Sequence, residues 1–303
     1  MRSGGWKPFW AALGAALLVL LPLTGGTVLL ARQQARVRVE AARSQSGVAV
    51  ELPKTGDRMT ALVCVAGEAP GFMLVYANAG QNCVHLLAVP GALEVPFAGE
   101  EATLTECYAA AGPARCREAL AELFPLPEDT RYLALAPATL EQLTRGLGTV
   151  RVGFSGALSV EEQAQLGLPA GVQELSVGAS TELLRWMEAE AGLAPRACAA
   201  ARAALWDAFF RQKLELLPAT LPDGLRAVSG ALLTDLTAQD YYRLEETLEF
   251  LANNAAEVSG AALPGEWDAA TGRYTAGEEA RAAVQALLNI SPTAGQAASE
   301  SEP

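Results

Sequence analysis

The chain has 303 residues, 51% of them apolar, enough to bury a substantial core, and length alone allows one large domain or two ordinary ones. Acidic side chains outnumber basic ones by 34 to 22, a formal charge of −12, and no basic stripe interleaved with aromatics occurs, so nucleic acid is not expected as a partner. With one histidine, and five cysteines at 64, 83, 107, 116 and 198 in no C-x-x-C spacing, a zinc site is not expected either.

Residues 1–7 form a short tail with Arg2 and Lys7. The segment 8–31, PFWAALGAALLVLLPLTGGTVLLA, carries no charge and is long enough to cross a hydrocarbon core about 30 Å thick as one transmembrane helix. Trp6, Phe9 and Trp10 stand where an interfacial aromatic belt would, and Pro22 with Gly25-Gly26 marks a kink or an end. A cleaved signal peptide is the competing reading, but the apolar run is long for one and no small-x-small cleavage site precedes Arg32. On charge alone, Arg32, Arg36, Arg38 and Arg43 after the span lean towards a cytoplasmic body.

Residues 32–46 read as a polar juxtamembrane linker, and the folded body is expected over 47–290. GVAVELP, from Gly47, reads as its first extended segment. TALVCVAG, GFMLVYAN and NCVHLLAVP follow, three Val- and Leu-rich runs separated by Gly, Pro and Asn turn signals, and they predict neighbouring strands of one sheet. Helical periodicity then appears in ARCREALAELF and in PATLEQLTRGLG, with TRYLALA between them as a strand. Strand and helix in alternation predict an α/β fold with helices packed on a central sheet. SVEEQAQLG, STELLRWMEAEAG, PRACAAARAALWDAFFRQKLELL and TAQDYYRLEETLEFLANN are further helices, the last opened by Thr237 and Asp240. TAGEEARAAVQALLN is expected to close the body in the same way through Thr275 and Glu278. The tail 291–303 is polar and is read as disordered.

Cys107 and Cys116 are close enough in sequence to bridge across YAAAGPAR in an oxidising exterior; free buried thiols are the other reading. His85, in the middle of an apolar strand, reads as a satisfied sheet residue rather than a base. No second histidine and no nucleophile elbow support a catalytic triad. Glu100-Glu101 and Glu161-Glu162 read as solvated faces or helix-start acids rather than paired acid and base. GLGTVRVG lacks the lysine and the spacing of a phosphate loop.

GFMLVYANAGQNCVHLLAVPGALEVP resembles the opening of the LytR-CpsA-Psr (LCP) domain, in which a Met-Leu-Val strand leads into a strand ending Ser-Ile-Pro-Arg-Asp-Thr. Met73, Leu74 and Val75 match the first strand, and Leu86, Leu87, Val89 and Pro90 match the second. Farther on, TLTECYAAAGP, LEQLTRGLGTV, LPAGVQELSVGASTELLRW and FFRQKLELLPATL resemble successive family segments, as do LTDLTAQDYYRLEETL and LPGEWDAATGRYTAGEEARAAV, so the likeness covers most of 55–290.

The resemblance implies a central mixed β-sheet sandwiched by helices after one membrane anchor, with the body outside the cytoplasm, the reverse of the lean from charge. Family members are phosphotransferases that move a glycopolymer from undecaprenyl pyrophosphate to peptidoglycan. That chemistry calls for cations opposite the pyrophosphate, and carboxylates for magnesium or the acceptor hydroxyl. Here the family's aspartate before the first strand aligns with Pro70, its Arg-Asp pair with Gly91 and Ala92, and its lysine with Thr103. The aspartate before Gly-Leu-Gly aligns with Arg145, and the second arginine of a later helix with Met187. The expectation is a degenerate member with no cofactor, its magnesium ligands missing, in which Arg185 and Arg211 are the remaining headgroup candidates. It would bind a polyprenyl-linked glycopolymer or an envelope partner. The alternatives are an active phosphotransferase using acids such as Asp57 or Glu94, and a protein-interaction module with no small ligand.

Overall fold

Strand formation follows the Val and Leu runs closely. In the computed structural model β1 spans Arg58–Val65, β2 Gly71–Asn78 and β3 Cys83–Val89, joined in antiparallel register with Leu62 opposite Leu74 and Leu74 opposite Leu87. The structure describes residues 58–67, 69–165, 167–168, 170–181 and 195–288, all within the unit Pro53–Pro303. The expected membrane span 8–31, the linker 32–46, the extended segment after Gly47 and the tail 291–303 lie outside the described residues, as do Asp57 and most of the expected helix STELLRWMEAEAG with Arg185 and Met187.

β6 (Arg131–Leu135) lies parallel to β1, β9 (Leu232–Thr234) runs antiparallel to β6, and β10 (Glu257–Ala262) runs parallel to β3. The result is a mixed sheet of six strands in the order β10-β3-β2-β1-β6-β9. After β3 the chain turns at Pro90-Gly91 into the hairpin of β4 (Glu94–Phe97) and β5 (Glu100–Thr103), whose two connecting residues, Ala98 and Gly99, both have positive φ (54° and 88°). Such a pair matches the twist of the flanking strands. β7 (Thr149–Gly153) with β8 (Val172–Ser176), and β11 (Glu266–Asp268) with β12 (Arg273–Thr275), are further antiparallel pairs.

Helices cover both faces of the sheet. α1 (Leu104–Leu123) is opened by a reciprocal cap: the Thr103 hydroxyl accepts from the Glu106 amide, and the Glu106 carboxylate accepts from the Thr103 amide. It packs with α7 (Glu278–Leu287) on the face that carries Leu62, Cys64, Leu74, Tyr76 and Leu87. The opposite face carries Val63, Val65, Met73, Val75, Val84 and Leu86, and is covered by α2 (Pro137–Arg145), α4 (Pro195–Lys213), α5 (Leu217–Ala227) and α6 (Ala238–Asn253). α3 (Val160–Gln165) is short, and residues 177–181 are helical. Alternate residues of each strand thus feed two separate cores, as the period of two requires.

Three elements differ from the expectation. α1 starts ten residues before ARCREALAELF, at Leu104, because the cap at Thr103 nucleates it. α5 forms through a stretch with two prolines and a glycine; Pro218 lies in its first turn, where a missing N–H costs nothing. α7 is capped by Gly277 with no side-chain bond, since Thr275 is held in β12 opposite Glu266. The Thr237–Asp240 cap forms as expected.

Candidate functional site

Between the sheet and the α2, α4, α5 and α6 layer lies a cavity of about 140 Å³. Its floor is made by Met59, Ala61, Val63 and Val65 of β1 with Met73, Val75 and Ala77 of β2, the inward-facing alternation of two adjacent strands. Trp206, Phe209 and Phe210 of α4 form part of the roof, packed edge-to-face or tilted with centroids 5.4–6.3 Å apart. Such side chains are large and rigid and leave space where they fail to interlock. From Met59 to Val65 the floor runs six residues, roughly 20 Å at ~3.3 Å per residue. The Thr144 hydroxyl on the wall donates to the Leu140 carbonyl at 2.9 Å, so it offers the cavity no donor.

Arg202 of α4 is the one ionisable side chain among the described residues that line the cavity. It is 2% exposed, and its guanidinium lies against Gly71 at the start of β2: a Cβ placed on Gly71 would come within 3.3 Å of Nε and 3.4 Å of Cζ. Gly71 therefore gives the cation its place. Pro70, immediately before it, meets the turn after β3, where a Cβ on Gly91 would sit 3.5 Å from the Pro70 carbonyl oxygen and 2.6 Å from Thr105 Oγ1. Pro70, Gly71, Gly91, Thr105 and Arg202 thus gather at one end of the sheet, the end where β1, β3 and β6 finish.

The turn itself is closed by backbone bonds. The Gly91 carbonyl accepts from the Thr105 amide (2.9 Å), that of Leu93 from the Leu104 amide (2.8 Å), and that of Ala92 from the Tyr274 amide (2.9 Å). Pro70, Pro90 and Gly91 are buried. Thr103 lies beside this turn, opposite Glu94 in the β4–β5 register, but its hydroxyl and amide are engaged with Glu106, whose carboxyl they hold below the ordinary glutamate range. Glu94 is paired with Arg273 at 2.9 Å.

The structure does not bring Arg211 or Arg145 to this end. Arg211 follows Arg202 by nine residues of α4, about two and a half turns, and so points to the opposite side of the helix. There it pairs with Asp207 at 2.7 Å and donates to the Val258 carbonyl. Val258 lies opposite Val84, some five residues, roughly 17 Å, along β3 from Val89. Arg145 is on the outer face of α2, 73% exposed and paired with Glu141 at 3.2 Å.

The family that the sequence resembles uses magnesium, and the described residues of this turn do not fit that ion. Proline, glycine and alanine occupy the turn, their carbonyls are taken, and two acids of the elements that follow, Glu94 and Glu106, are engaged elsewhere. Among the described residues no three His, Cys, Asp or Glu side chains converge. His85 accords with a satisfied sheet residue: its Nδ1 is 2.6 Å from Ser259 Oγ, and its ring stacks on Tyr76 with an interplanar angle of 10°. Burial pushes its pKa down despite the nearby Glu257. Glu162 is a helix-start acid whose carboxylate accepts from the Ser159 amide at 2.7 Å. Glu100 and Glu101 are exposed on β5.

Arg202 is the residue that sequence reasoning missed, although a signal was present. Cys198, Ala201 and Leu205, at four and one positions before it and three after, are all buried, so the lone cation of an alanine run falls on the inward stripe of α4.

No protein-family model and no curated protein matches the chain. Solved structures do. Similar ones include Bacillus subtilis TagT, with a TM-score of 0.56 and 16% identity over 80% of this chain and 99% of that one. TagT bound to LIIa-WTA gives 0.59 and 16% over 78% and 92%. A protein from Eubacterium siraeum described as a transcription regulator gives 0.61 and 14% over 81% and 96%. TagT is an LCP-family protein, and the chain has an LCP-like fold.

Proposed function

We propose that the protein is a membrane-anchored, LCP-like component of the cell envelope that holds a polyprenyl-linked anionic lipid without transferring its glycopolymer. The observation that carries this reading is an apolar cavity reaching one buried cation, Arg202, beside Gly71. An engineered apolar cavity of about 150 Å³ stays dry and takes up benzene, so 140 Å³ suits a stretch of hydrocarbon chain rather than a sugar. A phosphate at the Gly71 end would face the guanidinium away from bulk water, where charge-assisted bonds are strong. The segment 8–31 would serve as anchor, with the body outside the cytoplasm.

Transfer is a different matter. Displacement at a pyrophosphate needs charge placed where charge develops, and a group to take the acceptor's proton. Pro70, Gly91 and Ala92 supply neither, and Thr103 is held in a helix cap. The lipid would be gripped, and its phosphoanhydride left intact.

Titrating the full chain in detergent with a polyprenyl phosphate, followed by calorimetry, is expected to give saturable binding. No saturable heat would overturn the lipid reading and leave an envelope protein as partner. A glycopolymer transfer assay with magnesium is expected to show no turnover above the protein-free control; turnover would overturn the inactivity.

A further inference from the structure

Cys107 and Cys116 both lie on α1, and both are fully buried in the core against β1 and β2, which also holds Cys64. α1 is not straight. Gly112 adopts φ 76° and ψ −173° and is followed by Pro113, so the helical path breaks there. In an unbroken helix positions 104 and 116 would be about 18 Å apart along the axis. Here Cys116 Sγ reaches the Leu104 carbonyl oxygen at 3.7 Å. The second half of α1 therefore turns back beside the first. That turn brings the Cys116 thiol back to the first turns of α1, beside the carbonyl that lies one helical turn before Cys107, in the core that both share with Cys64. Cys83 begins β3, and Cys198 lies in the other core.

We infer that Cys107 and Cys116, thiols in this structure, are a disulfide-forming pair that fastens the two halves of α1 when the chain folds in the presence of a disulfide oxidant. One thiolate attacks the oxidant's S–S bond and expels a thiol, and the second then attacks the mixed disulfide and expels the other. The two cysteine protons end on the expelled sulfurs, one S–S bond forms in the chain, and the oxidant takes up two electrons and leaves as thiols. Burial pushes both thiols above their ordinary pKa, so thiolate is scarce once the hairpin has closed. The bond forms during folding and is then shielded from reductant. It joins residues nine apart across the break, where no helical hydrogen bond can hold the halves together.

The pairing depends on the geometry of α1 and is independent of the lipid reading. To test it, the full chain in detergent is unfolded in urea with reductant and refolded with oxidised and reduced glutathione. Remaining thiols are capped with N-ethylmaleimide in urea, and the protein is cleaved after arginine and glutamate, which puts Cys64, Cys83, Cys107 and Cys116 on separate peptides for mass spectrometry. The expected product joins the peptides of Cys107 and Cys116, two hydrogens lighter, with Cys64, Cys83 and Cys198 capped. The melting midpoint of the oxidised protein should drop by roughly 5–10 °C on reduction. The pair Cys107→Ala with Cys116→Ala should melt alike with and without reductant. Five capped cysteines, a predominant bond to Cys64, or a wild-type midpoint indifferent to reductant would overturn the inference. If the double variant fails to fold, the wild-type peptide map decides alone.

Discussion

The two faces of the central sheet are cut from the same strands, yet one is filled and the other holds a cavity. Leu62, Leu74 and Leu87 interdigitate with Leu104 and Leu120 of α1 and with Tyr274, whose hydroxyl donates to the Leu263 carbonyl at 2.8 Å. On the reverse side, Ala61, Val63, Val75 and Ala77 are short, and the Trp206, Phe209 and Phe210 group of α4 stands off them. Small floor and bulky roof make a void that apolar side chains of matched size would have closed. The filled face stabilises the body; the open face forgoes some of that stabilisation.

The largest effect should come from breaking the filled face. Leu120→Ala, at a fully buried position, is expected to cost about 2–5 kcal/mol in urea unfolding and to leave lipid affinity in the surviving folded fraction unchanged. Next, Arg202→Met removes the cation but keeps most of the side-chain volume. It should weaken binding of polyprenyl phosphate by ~10- to 100-fold, in line with about 1.5–3 kcal/mol for a charged hydrogen bond. Binding of the uncharged polyprenol should hold, and equal loss for both ligands would remove Arg202 from the headgroup role.

Thr103→Ala should cost about 0.5–2 kcal/mol at pH 7, measured by thermal or urea denaturation. The Thr103 amide and hydroxyl lower the folded pKa of Glu106, so that share of stability is present above the unfolded value of about 4.3 and is lost as pH falls through the folded one. The gap between wild type and Thr103→Ala should therefore narrow below about pH 4. The smallest change in stability, within about 1 kcal/mol, is expected for Ala61→Leu, which extends into the void instead of into packed atoms. The same variant should abolish lipid binding, and unchanged affinity would show that the ligand does not use this floor.

Much of this was legible in the residues. β1, β2, β3 and β6 could be read because their Val and Leu runs are bounded by Gly, Pro and Asn, and the Thr237–Asp240 cap because both partners are local. The first half of α1 was not, although Thr103-x-x-Glu106 is a capping signature: Gly112-Pro113 reads as a loop, whereas it is a short break across which the second half of α1 turns back on the first. α5 was hidden by Pro218, Pro222 and Gly224. Thr275 and Glu278 have the spacing of a cap, but the β11–β12 pairing claims Thr275 first. At the site, the Pro70–Gly91 meeting could be anticipated from two strand ends. Choosing Arg202 over Arg211 requires knowing which stripe of α4 faces the sheet, a matter of tertiary packing.

The contact between Gly91 and Thr105 constrains how this corner can change. Any side chain added at 91 runs into the threonine hydroxyl, while the Thr105 amide holds the Gly91 carbonyl in place. Placing an arginine there is thus a coupled move, in which Thr105 must first swing aside or shrink, and a lone Gly91→Arg exchange would jam the corner.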